Sequence, residues 1–220
     1  MTHRHWPPSR EYSIHERVAD AVVHTIGLLI ALAAGAVLLV LAAGRAGYGE
    51  YSALVLYVAA LVTVMSVSLV YNWWPVSPVK TFLRRFDHAA IFLLIAATYT
   101  PFAVQLADRR LAAALLVVVW AGAAAGMALK LFLPGRFDRT AILFYLLIGW
   151  SGTVMFAPLS EVLPASTIGL VAAGGVAYTS GLIFYALHKM RFQTAIWHAF
   201  VVTGAALHLA AVTDFVAARA

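Results

Sequence analysis

Apolar residues run through this sequence in seven long blocks: Ala19–Ala43, Tyr51–Trp74, Ala89–Leu106, Leu111–Leu133, Thr140–Leu159, Pro164–Leu187 and Ala195–Ala218. Each is close to the length that a helix rising ~1.5 Å per residue needs to cross a hydrocarbon core of ~30 Å. Backbone N–H and C=O groups find no water there, so each block must satisfy them internally, as a helix. The stretches between the blocks, such as Gly44–Glu50, Pro75–His88, Pro134–Arg139 and His188–Thr194, are short. Short connections make consecutive helices antiparallel neighbours. The pattern predicts an all-α fold, a seven-transmembrane helix bundle over residues 19–218, preceded by a polar segment over residues 1–18.

Composition sharpens that reading. Of the 220 residues, 63% are hydrophobic and 11% are charged, whereas a water-facing domain carries about a quarter charged residues. The solvent is therefore mostly lipid, and the chain is expected to be an integral, multipass membrane protein. There are no cysteines, which excludes disulfides and thiolate metal sites. No basic patch with interleaved aromatics points to nucleic acid. Membrane lipids are the expected partners; no soluble protein partner can be read from the sequence, and the oligomeric state is open.

The net charge of +6 changes the picture once it is sorted by side. The N-terminus and the loops on its side hold Arg4, Arg10, Arg17, Lys80, Arg84, Arg85, Arg136, Arg139, Lys189 and Arg191, joined by Lys130 near the end of the fourth block, against Arg45, Arg109, Arg110 and Arg219 on the other. Cationic residues accumulate on the cytoplasmic face of membrane proteins. The N-terminus is thus expected inside and the C-terminus outside, with Trp6, Trp73 and Trp74 at the inner interface. Gly122 and Gly126, and Gly169, Gly174, Gly175 and Gly181, are expected to permit close helix packing.

Polar residues inside the apolar blocks are the candidate chemistry, because an ionisable group in a bilayer is costly. Asp20 and His24 are four apart near the start of the first block, and Ser68 and Asn72 are four apart near the end of the second. Asp87 and His88 precede the third, and Thr194 and His198 are four apart at the start of the seventh. Residues four apart share a helix face. Antiparallel spans put all four groups at the same end of the bundle, where they can converge in one layer. Bland alternatives exist for each: Asp20 and Asp87 are also well placed as helix-capping charges, and His198 as a hydrogen-bonded structural histidine. His208, in the other half of its helix, reads as an interhelical packing residue.

Three stretches resemble the hemolysin III family, the bacterial branch of the progestin and adipoQ receptor group. These are RRFDHAAIFLLIAATYTPF from Arg84 to Phe102, GGVAYTSGLIFYAL from Gly174 to Leu187, and ERVADAVVHTIGLL from Glu16 to Leu29. The resemblance implies seven helices, a zinc ion near the cytoplasmic leaflet, and hydrolysis of a lipid amide or related bond. Its ligands would be the last residue of Ser-x-x-x-His on helix 2 and both histidines of His-x-x-x-His on helix 7, with an Asp on helix 3 holding the metal-bound water. It also implies, for the bacterial branch, a role in adjusting membrane lipid state.

This chain departs from that pattern twice. Helix 2 reads Ser68-Leu-Val-Tyr-Asn72 and helix 7 reads Thr194-Ala-Ile-Trp-His198. His198 is the retained ligand and Asp87 the retained water-holder. Amide and hydroxyl oxygens replace imidazole poorly, so a tight zinc site is not expected. Asp20, His24 and His88 could supply substitutes, although none stands at a family ligand position. Asp87 and Ser68 are the candidate catalytic residues; Asp20, His24, Asn72, His88 and Thr194 are the candidate pocket. The leading expectation is a role in lipid homeostasis or sensing with a degenerate zinc site. A metal-dependent lipid amide hydrolase is the alternative, and a pore or cytolysin comes third, since the polar groups gather at one end.

Overall fold

The computed structural model describes residues 12–135 and 138–219. Arg4, Arg10, Arg136 and Trp6, expected at the inner interface, lie outside the described residues. Seven helical segments are long and apolar enough to cross a membrane. They are α1 (Ile14–Ala42), α2 (Tyr48–Trp73), α3 (Pro78–Ala103), α4 (Arg109–Phe132), a fifth span over Thr140–Ser160, α7 (Ala165–Ala186) and α8 (Gln193–Ala217). The fold is an all-α seven-span bundle.

Helices α1 and α3 begin earlier than their apolar blocks, for the same physical reason. Ser13 caps α1 and forms a reciprocal capping box with Glu16, satisfying N–H groups that the helix start leaves open. Ser77 accepts from the Lys80 N–H, and Pro78 stands in the first turn of α3, where its missing N–H costs nothing. Residues 78–88, expected as loop, are therefore helix. Asp87 and His88 sit well inside α3 rather than at its opening, and Asp20 sits well inside α1. The capping role open to Asp20 is filled by Ser13 and Glu16.

The fifth span is the other departure from a plain apolar block. It is α5 (Asp138–Trp150), a 3₁₀ stretch (Ser151–Met155) and a short α6 (Phe156–Ser160). Gly149, Gly152 and Pro158 weaken the helix there, and the Ser151 and Thr153 hydroxyls donate to backbone carbonyls of Ile148 and Trp150. Tyr99 of α3 repairs the break. Its hydroxyl lies 2.9 Å from the Ile148 carbonyl and 2.8 Å from that of Gly149, and it accepts from the Gly152 N–H at 2.7 Å. Backbone groups freed within a membrane need such a partner.

Chain neighbours pack side by side, α1 on α2, α2 on α3, α3 on α4 and α7 on α8, and α8 returns to pack on α1. Helix α5 touches α3, α4 and α7, which completes the ring. Apolar residues fill the bundle, including Leu38, Leu54, Tyr57, Leu94, Val212 and Phe215, and apolar residues also face outward, including Val22, Leu29, Val117 and Leu147. That outward face suits lipid and not water. Glycines set two of the closest approaches. A Cβ on Gly126 would run into the Phe92 ring, and one on Gly174 into the His208 imidazole. His208 uses that space to reach the Val171 carbonyl of α7, 3.2 Å from its Nε2.

Candidate functional site

Antiparallel packing brings the ends of α2 and α4 together with the starts of α1, α3 and α8. Long-range contacts tie this end of the bundle. Arg17 of α1 donates to the Trp73 carbonyl at 2.8 Å and lies over the Trp73 ring. Lys80 of α3 donates to the carbonyls of Asn72 and Trp74. The carbonyls that end α2 thus meet two cations, which also suit the negative end of its dipole. Glu16 accepts from the Phe192 N–H at 3.0 Å, fixing the start of α8 against α1. Phe192 holds a left-handed backbone, with φ of 56°, at that junction.

One turn deeper lies a buried polar cluster. His198 Nδ1 is 2.6 Å from Asp20 Oδ1, joining α8 to α1. His24 Nε2 is 2.9 Å from Ser68 Oγ, joining α1 to α2. His24 Nδ1 lies 2.9 Å from the Asp20 carbonyl and 3.6 Å from Asp20 Oδ2. The imidazoles of His24 and His198 meet edge to face with centroids 4.2 Å apart. Asn72 donates from Nδ2 to the Ser68 carbonyl and hydroxyl at 3.0 and 3.3 Å. Asp87, from α3, is buried beside Ser68, His198 and Asp20. Exposure is 5% for Asp20 and 2% for His24, so water contributes little, and the groups must satisfy one another.

The structure brings Asp20, His24, Ser68, Asn72, Asp87 and His198 into one layer, as the helix spacing predicts. Two candidates stand apart from these contacts. Thr194 is half-buried, and its hydroxyl donates to the neighbouring Gln193 side chain. His88 is half-buried, and its carbonyl accepts from Tyr145 of α5. Sequence reasoning missed Glu16, Arg17 and Lys80 as the groups that lock this end. A signal was present for Glu16: Glu16, Asp20, His24, Gly27, Ala31, Gly35, Leu38 and Ala42 form one buried stripe along α1, spaced by three and four.

The zinc pattern implied by the resemblance does not fit these residues. Asn72, whose Nδ2 donates to Ser68, could offer only a neutral amide oxygen, Thr194 only a hydroxyl that donates to Gln193, and His198 alone offers an imidazole at those positions. A different set does converge. Asp20, His24 and His198 can each present one ligand atom such that all three atoms lie within 4.8 Å of one another.

Fold and site together define an integral, multipass membrane protein with a polar centre enclosed at one end of the bundle. The chain belongs to the Haemolysin-III related family, whose model matches residues 12–209. It is 34% identical to the Hemolysin-3 homolog of Bacillus subtilis (strain 168) over 196 residues, 89% of this chain and 92% of that protein. Against the Hemolysin-3 of Bacillus cereus it is 32% identical over 194 residues, 88% of this chain and 89% of that one. The human Monocyte to macrophage differentiation factor is 29% identical over 168 residues, 73% of this chain and 68% of that protein. No solved structure matches it significantly. The bacterial relatives and the seven apolar helices place the chain in the membrane as a protein of the bacterial inner-membrane kind.

Proposed function

We propose that this chain acts in membrane lipid homeostasis or lipid sensing, with the Asp20–His24–His198 cluster and its partners Ser68 and Asp87 as the working centre. The observation that carries this reading is a set of ionisable side chains from α1, α3 and α8, buried together within membrane-spanning helices. Such groups are costly in a bilayer and by default mark a functional site. Their placement supports a lipid role: the cluster lies in the half of the bundle that holds the starts of α1, α3 and α8, within helices that face lipid on their outer side. An apolar groove lined by Val18, Val22, Ile26 and Trp73 runs along the outside of α1, on the helix that carries Asp20 and His24, and suits an acyl chain.

A second reading, a lipid amide hydrolase, is favoured by one specific feature. A serine hydroxyl, a carboxylate and three potential metal ligands adjoin in one layer, which are the parts that hydrolysis of an acyl bond uses. A pore finds no support: among the described residues, the rest of the bundle interior is closed by Leu38, Leu54, Leu94, Val212 and Phe215.

The test is a deletion of the gene in its own host, followed by measurement of membrane order and acyl composition after a cold shift. The lipid reading expects a shift that the wild-type gene reverses. Unchanged membranes would contradict it. Release of fatty acid from a lipid amide by the purified protein would move the choice to the hydrolase.

A further inference from the structure

We propose that Asp20, His24 and His198 form a divalent-cation site of the zinc class, built on α1 and α8 in place of the lost positions at Asn72 and Thr194. This deepens the reading of the cluster as the working centre. The donor set is the first reason. Two imidazoles and one carboxylate are a set that zinc accepts with a fourth position open, and the same borderline-soft donors suit cobalt(II).

Geometry is the second reason. The three ligand atoms lie within 4.8 Å of one another. Ligands at about 2.1 Å from a tetrahedral zinc lie roughly 3.4 Å apart, so the closest pair has to open and the widest to close, each by no more than about 1.5 Å. Side-chain rotation supplies that without moving a helix. His198 and Asp20 are already 2.6 Å apart, a separation that an ion between them would widen, and His24 lies 3.6 Å from the second carboxylate oxygen.

The surroundings are the third reason. Metal-bound imidazoles are held in orientation by a hydrogen bond at the other ring nitrogen, and ligating carboxylates have partners of their own. His24 Nε2 has the Ser68 hydroxyl at 2.9 Å as its orienting partner, so Nδ1 is the ligating nitrogen and would turn from the Asp20 carbonyl to the ion; Ser68 is itself held by Asn72. Asp87 adds a second buried carboxylate beside Ser68 and His198. It would help to balance the charge of the ion without standing among the three ligands. Asn72 thus changes role: a ligand position in the family pattern becomes the support of the residue that orients His24.

The experiment uses the full chain, purified in detergent and dialysed against a weak chelator, with zinc measured per chain. Cobalt(II) chloride alone, titrated into the metal-free protein, is the second probe. We expect close to one zinc per chain and a visible cobalt absorption of the tetrahedral type. Asp20→Asn and His24→Gln should each weaken binding by at least about a hundredfold, more than loss of a supporting hydrogen bond would, while Thr194→Ala leaves it unchanged. Wild-type protein without stoichiometric metal overturns the site, and that result needs no variant to fold. Zinc retained by His24→Gln, or lost with Thr194→Ala, overturns its location. Failure here leaves the lipid reading standing, and unchanged membranes in the deletion strain would leave this site standing.

Discussion

His198 and Asp20 are 178 positions apart in the chain, yet His198 Nδ1 lies 2.6 Å from Asp20 Oδ1 inside the bundle. This contact closes the ring between the last helix and the first. One turn closer to the helix ends, Glu16 holds the Phe192 N–H at 3.0 Å, so two charged links set the register of α8 against α1.

The two links differ in depth, and that gives a stability prediction. A hydrogen bond to a buried charged group contributes about 1.5–3 kcal/mol. Asp20→Asn should lower the stability of the detergent-solubilised protein by that order, read from unfolding in mixed micelles. Paired with His198→Ala in a double-mutant cycle, it should show a coupling of about 1 kcal/mol or more. Additive effects would mean that the two side chains do not interact.

A second stability prediction concerns the α3–α4 contact. A Cβ on Gly126 meets the Phe92 ring closer than packed carbons allow. Gly126→Ala should cost about 1–3 kcal/mol through overpacking, and Phe92→Leu in the same chain should recover part of it. An unchanged unfolding midpoint for Gly126→Ala would show that α4 has room to move away.

The spans themselves were legible because lipid imposes a single rule on every block, and the layer of polar groups was legible because antiparallel helices with residues four apart leave few other placements. The starts of α1 and α3 were not. Glu16, Arg17, Lys80, Arg84 and Arg85 break the apolar pattern, although the capping serines Ser13 and Ser77 continue the helix through them. The break in the fifth span was also hidden. It depends on Tyr99 of α3 reaching the Ile148 and Gly149 carbonyls, a contact about fifty positions away that no local pattern announces. Convergence of Asp20 and His24 with His198 as three ligands required coordinates, since the spacing fixes which residues share a face but not which faces meet.

Charge gives an expected orientation. By their order along the sequence, eleven of the fifteen Lys and Arg residues are assigned to the N-terminal side, so a reporter fused after Ala220 should behave as extracytoplasmic, and one inserted at Gly135 as cytoplasmic. Both reporters on one side would contradict the bundle as seven spans.

The replaced positions make a constructive test. In a chain carrying His24→Gln, and so lacking one of the three ligands, Asn72→His with Thr194→His should bring back zinc. Thr194 and His198 are one turn apart on α8 and would present two imidazoles on one face. Recovery of one zinc per chain is the expected result. No recovery would mean that the family pattern cannot be restored in this pocket.

The most direct measurement is complementation of a deletion strain, scored by membrane order and acyl composition at equal protein level. Asp20→Asn and His198→Gln should fail to restore the wild-type membrane. Asp214→Asn should restore it, because Asp214 is bonded to Ser166 and Thr167 at the opposite end of the bundle. Restoration by Asp20→Asn and His198→Gln as complete as by the wild-type chain would show that the buried cluster is a packing device and that the function lies elsewhere.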